Sequence, residues 1–220
     1  IVVLTANARN TQEELNLVHN YLVPAIKSNK AIPSDPGSYN DLQKKQSGLS
    51  LNPQFSASSE SDFEKKITGR EFMIGENDYQ IQSVYFAFNN NECSFAIKRN
   101  NQISTIKAGS GSWKTVNSKL KSLLSPPRNI SSKSVDANYT VPVSSVKVAS
   151  SYSWTDSNTL EITARFIEEN LGSQTIECKF SEINGSVVVT LGPKSGPALM
   201  GSPGRVQPSV QLRGVMVNIE

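Results

Sequence analysis

The sequence predicts a mainly β protein: an antiparallel up-and-down sheet curled into a barrel or half-barrel, preceded by a short strand and one or two helices. Three observations predict it. Between Val143 and Leu191 apolar residues recur at every second position, at Val146, Val148, Tyr152 and Trp154, at Leu160, Ile162, Ala164 and Phe166, at Ile176, Cys178 and Phe180, and at Val187, Val189 and Leu191. Period two means that one face of each strand is buried and the other meets water. The same alternation runs through Val84, Phe86 and Phe88 and then Cys93, Phe95 and Ile97. Asn89–Asn91, Asn100–Asn101 and Asn184–Gly185 punctuate these runs, and Asn and Gly are the residues that tolerate the positive φ of tight turns.

In chain order, Ile1 to Ala6 is a continuous apolar run that predicts a strand buried on both faces. Thr11 with Glu14 has the spacing of a capping box. Leu15, Val18, Leu22 and Ala25 then follow helical spacing over about four turns, and Pro24 should kink this helix or end its regular part near Val23. Residues 28–62 read as a polar linker containing a short helix, capped by Ser38 or Asp41 and stopped by Gly48. Ser56 to Asp62 is Ser-rich and acidic, which suits a linker. Strands follow at Arg70–Ile74, Gln80–Phe88, around Cys93–Ile97 and at Ile103–Ala108, with a short fifth near Gly109–Trp113. Leu120, Leu123 and Leu124 could pack as one helical turn before Pro126-Pro127. After the alternating runs between Val143 and Leu191, a Gly/Pro-rich loop leads to a closing strand through Leu212, Gly214 and Met216. The domains are therefore expected as 1–27, 28–62 and 63–220, the last being all-β. The barrel interior is expected to be filled by Phe86, Phe88, Phe95, Phe166 and Phe180 rather than open to a ligand.

Composition narrows the function classes. The formal charge of +3 over 220 residues is small and the basic residues are scattered, whereas a nucleic-acid binder needs a basic stripe with interleaved aromatics. No apolar run is long enough to span a bilayer as a helix, and no signal peptide is visible. The chain starts inside an apolar strand pattern with no initiator Met, so it is expected to be a piece of something longer. Cys93 and Cys178 both sit on apolar strand faces and read as buried thiols; whether they pair cannot be deduced from sequence. A single histidine, His19, and the lack of C-x-x-C or H-x-x-x-H spacing argue against a zinc site.

No catalytic constellation emerges. Three S-x-x-K spacings occur, at Ser104/Lys107, Ser118/Lys121 and Ser144/Lys147, where about two are expected by chance in a chain this rich in Ser and Lys. Two of them lie on strand patterns, where residues three apart face opposite sides of the sheet. No G-x-S-x-G elbow is present, and Ile67-Thr68-Gly69 lacks the lysine of a K-T-G strand. Glu168-Glu169 and the pair Glu60/Asp62 read as solvated charges. The sequons at Asn129, Asn138 and Asn184 are at an ordinary frequency. Catalytic, cofactor-binding and metal-binding residues are accordingly none, and no cofactor is expected.

Residues 1–26 resemble the end of a β-lactamase-related (penicillin-binding-protein-like) serine hydrolase, in which a last core strand precedes a C-terminal helix; Ile1-Val2-Val3-Leu4-Thr5-Ala6-Asn7 and Leu15 to Ile26 carry that likeness. Ile67 to Phe72, Ser83 to Phe88, Gly109 to Trp113, Val148 to Asp156 and Thr159 to Phe166 resemble the β appendage that follows the catalytic domain in bacterial members. The resemblance implies a non-catalytic C-terminal accessory domain, lipocalin-like in outline, that supports or partly covers its parent's catalytic domain in cis. It denies this chain the activity, because the family's S-x-x-K, Y-x-N (or S-x-N) and K-T-G-like elements all precede the strand at Ile1. It also implies a periplasmic or extracellular location. Residues 1–26 would leave an apolar strand edge and helix face to be covered, with possible homo-oligomerisation. The alternative is a self-standing small-molecule or glycan-binding barrel.

Overall fold

The three expected hairpin turns form, and each takes the same geometry. Asn90 and Asn91, Asn100 and Asn101, and Asn184 and Gly185 all have positive φ, between 48° and 77°. Two consecutive positive φ values define the turn whose twist matches that of the flanking strands. In the computed structural model, which describes residues 11–28, 30–31, 33–53, 61–120, 123–124, 145–167, 173–194 and 211–217, these turns connect five of the strands of a ten-stranded sheet. The predicted strand at residues 1–6 lies outside the described residues.

The strands are β1 (Arg70–Ile74), β2 (Ile81–Asn89), β3 (Glu92–Arg99), β4 (Gln102–Ser110), β5 (Lys114–Ser118), β6 (Val146–Trp154), β7 (Thr159–Phe166), β8 (Ser173–Ile183), β9 (Ser186–Pro193) and β10 (Leu212–Met216). Their order is β4-β3-β2-β1-β10-β9-β8-β7-β6-β5, and β4 also pairs with β6. The first and last strands meet antiparallel, with Phe72 opposite Met216. The sheet is therefore a closed barrel of nine strands, with β5 riding on β6 beside β4.

Closure is parallel, so the barrel is mixed rather than purely up-and-down. Ala108, Gly109 and Ser110 pair in parallel with Ser150, Ser151 and Tyr152, while β5 pairs antiparallel with Val146–Ser150. The cause is the fifth strand. Each hairpin reverses direction, so inserting β5 between β4 and β6 makes those two run the same way. The fifth strand itself forms at Lys114–Ser118, after Trp113, and not over Gly109–Trp113 as the alternation suggested. Gly109 makes the fold-back possible: a Cβ there would lie 2.5 Å from the Ser112 carbonyl oxygen.

The core lies inside the ring. Phe72, Val84, Phe86, Cys93, Phe95, Ile97, Ile106, Leu160, Ile162, Cys178, Phe180, Val189 and Leu191 are all essentially inaccessible. Helix α4 (Asp62–Ile67) closes one end. Its Phe63 stacks on Phe180 at 5.8 Å, and its Ile67 is fully buried. Trp154 Nε1 donates to Glu64 Oε2 at 2.8 Å, and Ser61 Oγ donates to the Ser157 carbonyl. At the other end Leu120 and Leu123 join the core, held where Leu123 N donates to Gln174 Oε1 at 2.8 Å. The expected helical turn at Leu120–Leu124 does not appear among the described residues there, which are bends and irregular chain.

The N-terminal unit, ending at Leu51, is distinct from the barrel unit that starts at Asn52. Helix α1 (Thr11–Leu17) passes into a π-helical turn (Val18–Leu22) and then α2 (Val23–Ala25). Pro24 explains the change of pitch, because its ring excludes the carbonyl four residues back and it has no N–H to give. The Val23 N–H accordingly reaches five residues back, to the Val18 carbonyl. Of the expected apolar stripe only Val18 is buried; Leu15 and Leu22 are exposed. Helix α3 (Pro36–Gly48) starts earlier than expected. Asp35, not Ser38 or Asp41, is its cap, accepting from Ser38 N at 3.0 Å and from Ser38 Oγ at 2.7 Å. Asp at the cap followed by Pro at the first helical position is a strong start signal. Those hydrogen bonds from Ser38 hold the Asp35 carboxyl below its ordinary range. Gly48 ends the helix as expected.

Candidate functional site

The interior of the barrel is occupied. Phe72, Phe86, Phe95, Phe180, Trp154 and Phe88 form one aromatic cluster, with neighbouring ring centroids 5.2 to 6.2 Å apart, and the expected Phe166 is buried as well. Tyr152 packs edge-on against Phe88 at 5.5 Å, and burial, reinforced by the Glu64 charge, pushes its phenol well above the usual range. Cys93 on β3 and Cys178 on β8 stand as free, fully buried thiols on opposite walls. Burial pushes both thiols up, so neither is a nucleophile at neutral pH. Ser150 is fully buried too, and among the described residues its hydroxyl has no hydrogen-bond partner.

The residues singled out in the sequence do not come together. Ser104 and Lys107 lie on β4 at opposite parities, and Lys107 pairs with Glu92 at 2.9 Å. Ser118 Oγ is spent on backbone, donating to the Thr105 carbonyl and accepting from Leu120 N; Lys121 and Ser144 lie outside the described residues. Thr68-Gly69 is the C-terminal turn of α4, with Gly69 at φ +71°, and not part of a strand. His19 is exposed on the π-helical turn. Asn129, Asn138, Glu60, Glu168 and Glu169 lie outside the described residues. Among the described residues no three His, Cys, Asp or Glu side chains cluster as metal ligands, and no helix is long and apolar enough to cross a membrane.

What the barrel does present is a pair of clefts at the end opposite α4, on either side of the loop 75–80 that joins β1 to β2. Their volumes are about 430 and 390 Å³. Both share Ile74, Gly75, Glu76 and Asn77; the first adds Gln80, Gln82 and Asn100, the second Asp78, Tyr79 and Arg213. Asn77 fixes the partition between them. Its Nδ2 donates to the Gly75 and Ile81 carbonyls at 2.7 and 2.8 Å, and its Oδ1 accepts from Tyr79 N and Ile81 N at 3.0 and 3.2 Å. Gln80, at φ +55°, turns the chain back into β2. The loop is thus preorganised, with every amide atom of Asn77 committed to backbone.

Sequence reasoning missed this site because its parts come from the loop 75–80, a hairpin turn and strand ends, which no single period links. It also missed α4, although a signal was present: Ser61-x-x-Glu64 is a capping box with Phe63 and Ile67 at helical spacing. Ser61 Oγ accepts from Phe63 N at 3.1 Å in that role.

No protein-family model matches the chain, and no curated protein matches it.

Proposed function

We propose that this chain is a non-catalytic C-terminal accessory domain of a β-lactamase-related serine hydrolase, supporting or partly covering the catalytic domain in cis. The filled interior carries this reading: a barrel packed with rings and closed by α4 offers its outside, not a lumen, to whatever it works with. That outside has an apolar stretch. Through the register Ile103–Lys98–Ser83–Met73–Val215, one row of the outer wall brings exposed Ile103, Met73 and Val215 into line. Exposed Tyr85 lies on the neighbouring row. Clustered apolar residues on a sheet's solvent face suit a packed neighbour. In the N-terminal unit, exposed Leu15, Leu17, Leu22 and Ile26 suit burial against a further part of the parent or a second copy. The family resemblance supplies the hydrolase parent and, with it, a periplasmic or extracellular location.

The test is the coding sequence upstream of Ile1. An open frame carrying S-x-x-K, then Y-x-N or S-x-N, then a K-T-G-like strand supports the reading. A stop codon immediately upstream, followed by a start at Ile1, removes it.

A further inference from the structure

We propose that the cleft lined by Glu76, Gln80, Gln82 and Asn100 is a binding subsite for a neutral saccharide. This goes beyond the accessory-domain reading and stands whether or not a catalytic domain accompanies the barrel. The observation that carries it is a set of side-chain amides, each held by one hydrogen bond and left with unused polar capacity. Gln82 Oε1 accepts from the Asn101 backbone N–H at 2.9 Å, so its NH₂ group is the half left over. Asn100 and Gln80 join amide to amide at 2.9 Å, which leaves one amide NH₂ and one amide carbonyl unspent. Glu76 is exposed and, among the described residues, makes no hydrogen bond or ion pair.

The tethered amides and the Glu76 carboxylate line the cleft together with the apolar side chains of Met73, Ile74 and Ile81. Vicinal hydroxyls, each both donor and acceptor, match planar amides and a carboxylate, and the C–H face of a pyranose matches those apolar side chains. Among the described residues that line the cleft none is cationic, so it offers a phosphate or carboxylate ligand no counter-charge. Among the described lining residues Glu76 is the one acid, enough to accept from a saccharide hydroxyl but without the second carboxylate that a divalent cation site would need. The volume of about 430 Å³ falls within the range of small-molecule sites. Because each amide is already tethered and Asn77 holds the loop, little side-chain entropy remains to be lost on binding.

The experiment is a titration of the ¹⁵N-labelled 220-residue chain with maltotriose, cellotriose and tri-N-acetylchitotriose, with putrescine as a cationic control. The expected result is a saturable shift with at least one trisaccharide, confined to backbone amides 75–82 and the side-chain amides of Gln80, Gln82 and Asn100. Two variants sharpen it. Glu76→Ala removes a group that supports nothing in the fold, and Gln82→Glu keeps the acceptor for Asn101 while removing the free donor. Each should weaken binding by about tenfold, the loss that goes with one hydrogen bond of this kind, with the remaining backbone spectrum unchanged. No saturable shift with any trisaccharide, shifts centred elsewhere, affinity unchanged in both variants, or saturable binding of putrescine alone would each overturn the proposal.

Discussion

Among the described residues the buried Ser150 hydroxyl has no hydrogen-bond partner; its register partners are Ala108, Lys114 and Ala164. An unpaired polar atom in an apolar interior costs free energy that a methyl group does not. Ser150→Ala should therefore leave stability unchanged or raise it by about 1 kcal/mol, read from urea denaturation midpoints; a loss of that size would mean that the hydroxyl has a partner. The thiols predict a pH dependence. Burial raises both Cys93 and Cys178 in the fold, so each holds its proton more tightly folded than unfolded. Their contribution is complete below the unfolded thiol value of about 8.5 and is lost as pH rises above it. Denaturation midpoints should fall between pH 8 and 9.5, and less steeply in the Cys93→Ala/Cys178→Ala double variant. Ellman's reagent should find no thiol in the native protein and two in urea. At this scale the sequence was informative about direction: period two placed Phe86, Phe95, Phe166 and Phe180 inside correctly. It could not mark Ser150 as unpaired, because parity says which way a side chain points and nothing about what meets it.

At the scale of elements, the hairpins were legible because Asn-Asn and Asn-Gly state their own backbone geometry. Helix α4 was harder to see: its capping box at Ser61 and Glu64 was present, but six residues give too short a period to stand out from the Ser-rich run before them. Its role is to seal the aromatic cluster. Phe63→Ala should cost about 2 kcal/mol, less than a fully buried Phe because this ring is only half-buried. It should also shift Trp154 emission to the red, since Glu64 on α4 holds the indole N–H. An unchanged stability and spectrum would show that α4 does not close the barrel. Helix α3 shows the opposite lesson: the cap was sought at Ser38 or Asp41, but Asp35-Pro36 is itself a cap and first helical residue.

The closed ring is a property of the whole molecule that no single strand announces. Alternation gave an up-and-down sheet and left barrel and half-barrel open. The parallel seam between β4 and β6 depends on where a short fifth strand turns back, which the sequence reading placed five residues too early. Gly109 is the point at which that seam is most exposed to substitution. Gly109→Val should force β4 away from the 111–112 turn and destabilise the barrel by about 3 kcal/mol, seen as a lower thermal midpoint. Wild-type stability in that variant would mean that the fold-back has slack the structure does not show. The central claim is that this barrel is solid and acts through its surface. Titrating the chain with a fluorescent fatty acid while following tryptophan emission tests it most directly. The filled interior predicts no saturable binding and no quenching, whereas one-to-one binding with quenching of Trp154 would contradict it and make the lumen the functional site.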